Sequence, residues 1–155
     1  MIRACTLALA FATGAATPPV AAEMTGAGTV TFVGFHIGDR PVAGDQDLGQ
    51  DHLRGVILAD DPANPLHMAA QDCIGSGIYA PDGAEDSAGY CDVIDTEGNV
   101  AFLWYRNEGE DRTWGFLGGT GRFEGLAGGG TTAVIGGTPD GRVVIRWQGS
   151  WTMQD

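Results

Sequence analysis

Asp72 and Asp92 are the two residues whose type and spacing come nearest to a reactive site. One strand pattern runs from about Leu66 to Tyr79 and a second from Gly89 to Thr96, with Pro81-Asp82-Gly83 turning the chain between them. A turn centred between Tyr79 and Glu85 sets Asp72 opposite Asp92, two like charges where a sheet normally avoids them. If both point into an apolar interior, repulsion and desolvation raise at least one pKa, which makes a proton donor or acceptor for acid-base chemistry. If both point outward, they are solvated carboxylates. The same register sets Cys73 opposite Cys91 on the other face, and opposed Cβ atoms lie close enough for a disulfide.

The remaining motifs carry less chemistry. Gly75-Ser76-Gly77-Ile78-Tyr79-Ala80 has the spacing of a dinucleotide fingerprint, but Pro81-Asp82-Gly83 follows where a helix N-terminus is needed to hold pyrophosphate. The chain has no lysine, so it has no phosphate-loop lysine either. Asp45-Gln46-Asp47-Leu48-Gly49-Gln50-Asp51 places oxygen ligands at alternate positions yet lacks the closing bidentate glutamate of a calcium loop, and it reads as a solvated acidic loop. His36, His52 and His67 share no close metal-ligand spacing. No metal and no cofactor is expected. There is no Gly-x-Ser-x-Gly nucleophile elbow, and oxidised cysteines are poor nucleophiles. Arg106 and Arg146 either fix an anionic ligand head or cap a barrel mouth with surface charge.

The elements that must position these groups are strands. Thr29 to Ile37 is β-branched or aromatic and starts by alternating, Asp39 to Asp51 reads as a polar loop, and a shorter strand follows at about Leu53 to Ala59. Val100 to Arg106 and Arg112 to Gly118 form a hairpin through Asn107 to Asp111, in a register that sets Phe102 against Phe116 and Trp104 against Trp114. Ala101, Leu103 and Tyr105 make its other face apolar too, so both faces need cover, one from a barrel interior and one from another element or a second subunit. Thr131 to Thr138 pairs with Arg142 to Met153, setting Gly129 against Trp151 and Ala133 against Trp147, small opposite large as in a narrow barrel. About eight short strands with hairpin connections predict an all-β fold, a closed antiparallel barrel.

Residues 1–22 read as a secretory signal. One positive charge precedes an apolar run from Ala4 to Ala16, and Val20 and Ala22 occupy the two small-residue recognition positions before a cut ahead of Glu23. The run is shorter than the roughly 20 residues of a membrane span, so no stable membrane anchor is expected. Residues 23–155 then form one domain, in the periplasm or secreted, where a cysteine pair is oxidised. The formal net charge of −12, with every cation an arginine, repels phosphate backbones and excludes nucleic acid as a partner.

Gly118-Gly119-Thr120-Gly121-Arg122-Phe123-Glu124-Gly125-Leu126-Ala127-Gly128-Gly129-Gly130-Thr131 separates two aromatic strand patterns with a glycine-dense corner. A Gly-Thr-Gly-basic-aromatic run ahead of a glycine-rich strand resembles the allene oxide cyclase-like barrels and their relatives, the plant dirigent proteins. The resemblance runs from about Trp114 to Thr131 and, more loosely, through Arg146-Trp147-Gln148-Gly149-Ser150-Trp151. It implies an eight-stranded antiparallel barrel, often oligomeric, whose cavity steers cyclisation or coupling of hydrophobic intermediates. The strands that carry the cyclase's polar catalytic residues do not match this sequence residue by residue, so those roles are not carried over, and the cysteine pair and the export signal depart from the plant pattern.

Three functions follow. The first is an exported barrel that binds a small apolar or amphipathic molecule in its lumen, with Phe102, Trp104, Trp114, Phe116, Trp147 and Trp151 lining the cavity. The second is a cofactor-free cyclase or isomerase that transfers protons through Asp72 and Asp92. The third is a structural or interaction protein with a filled lumen. A homo-oligomer fits all three.

Overall fold

The computed structural model describes residues 22–42, 44–82 and 84–153, without the side chains of 22 and 35–39. The signal segment falls on residues outside this set, apart from Ala22, which lies in the first strand, and so does the side chain of His36. Eight strands follow in order: β1 Ala22–Pro41, β2 Asp47–Ala59, β3 Ala70–Tyr79, β4 Glu85–Ile94, β5 Val100–Glu108, β6 Asp111–Gly119, β7 Ala127–Gly137 and β8 Arg142–Met153. Each pairs antiparallel with the next, and β8 returns to β1, so the sheet closes into a barrel. Closure removes the free edges that would otherwise pair with other chains. β1 and β2 begin or end well beyond their sequence patterns, because the polar stretches Arg40–Pro41 and Asp47–Asp51 pair with each other in the β1–β2 hairpin and, for Asp47–Asp51, with β3.

Alternation decides what each face meets. Val30 and Phe32 of β1, Ile57 of β2, Cys73 of β3, Cys91 and Val93 of β4, Leu103 of β5, Trp114 and Phe116 of β6, and Trp147 and Trp151 of β8 form one buried cluster. The residues between them point outward. One end of the barrel is plugged. Leu66 and Ala69 from the β2–β3 connection, with Phe123 and Leu126 around a short 3-10 turn at Gly121–Phe123, are buried there. Asp95 holds this end, its side chain 1% exposed. It accepts from the backbone N–H of Glu97 and Asn99 and from Asn99 Nδ2, and Arg122 Nε stands 2.7 Å from its Oδ2.

The β3–β4 register is as expected from the sequence. Asp72 opposes Asp92, and Cys73 opposes Cys91 in a disulfide with an S–S distance of 2.02 Å. The β5–β6 register is one residue off. Trp104 opposes Gly115, Tyr105 opposes Trp114 and Leu103 opposes Phe116. The sequence reading took Asn107 to Asp111 as the loop, whereas the ladder continues to Glu108 and Asp111 and turns on two residues, with Gly109 at φ 61°. A slip of one residue moves every side chain of one strand to the other face. Beyond Leu103 a bulge shifts the ladder again, so Phe102 faces Gly118.

The β7–β8 hairpin shows the same effect by another route. Next to its turn, Gly137 opposes Val143 and Gly136 opposes Val144, the expected register. A bulge between Val134 and Gly136 then advances the ladder, so Trp147 meets Thr132 and Trp151 meets Gly128, instead of Ala133 and Gly129. At Trp151 small still faces large, because the glycine run offers a glycine in either register, whereas Trp147 meets a threonine.

Candidate functional site

The lumen holds the candidate site. Trp114 packs edge-on against Phe116 and Trp147, with ring centroids 5.1 and 6.4 Å apart. Trp151 closes the set, 6.0 Å from Phe116 and 6.3 Å from Trp147. Glycine makes room for the indoles: a Cβ on Gly149 would stand 2.6 Å from Trp114 Cζ2, and one on Gly28 2.9 Å from Trp147 Cζ2. Trp114 Nε1 donates to the Thr131 carbonyl at 3.3 Å. Trp147 Nε1 is buried without a hydrogen-bond partner. Since buried polar groups are nearly always paired, this donor is left for an acceptor that the chain does not supply.

A cavity of about 110 Å³ lies inside this wall, lined by Phe32, Ile57, Leu103, Trp114, Phe116 and Trp147 among others. An apolar cavity of roughly 150 Å³ takes up benzene, so a space of this size suits a single small ring. The disulfide forms part of the wall, and Gln71 Nε2 donates to Cys73 Sγ at 3.4 Å.

Toward the unplugged end the lining becomes polar, with Tyr105, Asn107 and Arg112. Behind them, Glu85 Oε2 meets Arg112 Nη2 at 2.7 Å, while Glu85 Oε1 accepts from Ser87 Oγ at 2.7 Å and from Asn107 Nδ2 at 2.6 Å. Burial pushes the Glu85 pKa up, but these donors outweigh it and hold the carboxyl below its ordinary value. Burial, reinforced by the negative charges of Asp51 and Glu85, pushes the Tyr105 phenol up to about 12. The Tyr79 hydroxyl donates to Asp51 Oδ2, and burial together with that bond raises its pKa further still. The lumen is therefore amphipathic, with indoles and aliphatic groups at one end and two neutral phenols and a neutralised carboxylate at the other.

Of the residues singled out in the sequence, Trp114, Phe116, Trp147 and Trp151 come together in the lumen. Phe102 and Trp104 do not. Phe102 is exposed on the outer face, and Trp104 lies outside over Gly115, whose Cβ would meet Trp104 Nε1 at 2.8 Å. Asp72 and Asp92 also face outward, on the parity opposite to the buried Cys73 and Cys91. Asp72 meets His52 Nε2 and lies 2.9 Å from Arg54 Nε. Arg106 and Arg146 form outer ion pairs with Glu108 and Asp60.

The sequence reading passed over Asp51, Tyr79, Glu85, Tyr105, Asn107 and Arg112. Their signal was alternation: Glu85 and Ser87 share the parity of Cys91, and Tyr105 that of Leu103. Among the described residues, no group of three His, Cys, Asp or Glu side chains is arranged to hold a metal ion.

The arrangement of this barrel recurs in solved structures. The pterocarpan synthase dirigent protein GePTS1 superposes with a TM-score of 0.57 at 11% sequence identity, over 97% of this chain and 100% of that one. The chain has the eight-stranded barrel fold of the dirigent proteins. A second such structure, the pterocarpan synthase dirigent protein PsPTS1, gives a TM-score of 0.56 at 12% identity over 86% of this chain and 97% of that one. No protein-family model matches the chain, and no curated protein matches it either. The Cys73–Cys91 disulfide fits an oxidising, extracellular compartment.

Proposed function

We propose that this small dirigent-like barrel is exported to the periplasm or secreted, where it binds a small apolar or amphipathic molecule in its lumen without covalent catalysis. The observation that carries this reading is the cavity of about 110 Å³, walled by Trp114, Phe116 and Trp147 and ending at Tyr105, Asn107 and Arg112. The unpartnered Trp147 Nε1 supports a ligand that carries an acceptor oxygen. Burying one ring here gains roughly 25 cal/mol per Å² of apolar surface, while the polar end sets the ligand's direction. Titrating tryptophan fluorescence with phenol, toluene and anisole tests the proposal. Saturable quenching is expected; a flat response across all three favours a filled, structural barrel.

A second reading is a cofactor-free cyclase or isomerase of the same fold. The polar end of the lumen favours it, because phenols and a carboxylate beside an apolar pocket can pass a proton to a bound hydrophobic intermediate. On this reading Tyr105, which lines the cavity, meets the intermediate, and Glu85 holds Asn107 and Arg112 in place beside it, since the carboxylates of Asp72 and Asp92 lie on the outer face. The double replacement Asp72→Asn with Asp92→Asn then leaves turnover unchanged, and Glu85→Gln abolishes it. The reverse result returns the role to the outer pair.

A further inference from the structure

The outer face of β3 to β6 carries a feature that the lumen does not explain. Asp72, Asp92, Phe102 and Gly118 oppose one another in turn across the four strands, and Ile74 opposes Tyr90 in the next outward row. These residues and Leu117 line a shallow groove. Its apolar members are unusually open to solvent: Tyr90 is 68% exposed, Ile74 65% and Leu117 59%. Gly118 makes the depression beside Phe102. It sits at φ 121°, and a Cβ there would meet nothing within 4 Å.

The two aspartates in this row are not equivalent. Asp72 has two partners, His52 and Arg54. Asp92 has a buried Oδ1 with no hydrogen-bond partner. A carboxylate oxygen withdrawn from water and left without a donor is costly, and the cost is recovered when a donor arrives. The arginine that lines the groove, Arg54, is engaged with Asp72. The occupant must therefore bring its own positive charge, and a net charge of −12 favours its approach.

We infer that this groove is a binding site for a small organic amine, with its ammonium on Asp92 and its apolar stem between Ile74, Tyr90, Phe102 and Leu117. The Tyr90 and Phe102 rings add attraction for a cation held near their faces. The size of the apolar part favours a small molecule over a protein partner. The groove itself is lined by four apolar side chains bordered by His52, Arg54 and Asp72, whereas a stable protein interface takes roughly 20–30 residues a side. The site is separate from the lumen and independent of what the lumen binds.

The test is a titration of the full barrel with 2-phenylethylamine, using 2-phenylethanol as its uncharged counterpart and 3-phenylpropionate as the anion. Binding is followed by calorimetry and by the methyl NMR signals of Ile74 and Leu117. The amine is expected to shift both groove methyls saturably and to bind at least about ten-fold more tightly than the alcohol, with no binding of the anion. Asp92→Asn is expected to bring the amine's affinity down to that of the alcohol, and Tyr90→Ala to weaken both. The inference is overturned if the alcohol binds as tightly as the amine or if Asp92→Asn leaves the amine's affinity unchanged. It is also overturned if the shifts appear on the lumenal methyls of Ile57 and Leu103 instead, or if the groove methyls respond only to protein concentration, which marks self-association.

Discussion

Trp104 and Trp114 stand on opposite sides of the barrel wall: Trp104 lies outside over Gly115, and Trp114 points inward beside Phe116. Replacing each should therefore have different consequences. Trp114→Ala empties part of the lumen and is expected to cost about 3–5 kcal/mol. Trp104→Ala removes a half-buried indole from the outer surface and is expected to cost roughly 1–2 kcal/mol. Urea unfolding of the two variants measures the difference, and equal losses contradict the placement.

The disulfide faces the lumen and joins strands 18 residues apart in sequence. The loop-entropy relation for that separation gives about 3 kcal/mol. The double replacement Cys73→Ser with Cys91→Ser should lower the unfolding free energy by about this amount. It should leave the far-ultraviolet spectrum of the barrel unchanged, since the β3–β4 ladder persists without the bond.

How much of this was legible in the sequence depended on what set each register. The β3–β4 pairing needs only a symmetric turn, so Asp72, Asp92, Cys73 and Cys91 were placed correctly. The β5–β6 pairing turned on the length of a loop whose polar ends continue the ladder, and composition does not distinguish a polar strand end from a loop. The bulges after Phe102 and near Ile135 leave no local signature beyond glycine, which is abundant throughout that region. The polar end of the lumen escaped notice because Glu85 and Arg112 resemble surface charges until closure turns them toward each other.

Tyr105 and Glu85 make stability depend on pH at both extremes. The folded Tyr105 pKa of about 12 lies above its ordinary value of 10.0, so its contribution is complete below pH 10 and is lost as pH rises toward 12. Glu85 lies below its ordinary 4.5, so its contribution is present above that pH and is lost as pH falls through the lowered value. Unfolding across pH should show both limbs, with Tyr105→Phe reducing the alkaline one, to which Tyr79 also contributes, and Glu85→Gln reducing the acid one, to which Asp95 also contributes. An ultraviolet titration should show the Tyr105 phenolate forming only near pH 12.

Asp95 should be the weak point of the plugged end. Asp95→Ala strands two backbone N–H groups, the Asn99 amide and Arg122, and a buried group left without its partner costs about 1–3 kcal/mol. Hydrogen exchange should accelerate at Glu97 and Asn99 first, while the amides of β1 keep their protection.

The lumen itself is tested most directly by fluorescence of the Trp104→Phe variant. Its three remaining tryptophans, Trp114, Trp147 and Trp151, all belong to the buried cluster. Phenol or anisole should quench that variant saturably, with the midpoint found for the unaltered protein. Loss of the quenching along with Trp104 would place the ligand outside the barrel and contradict a lumenal site.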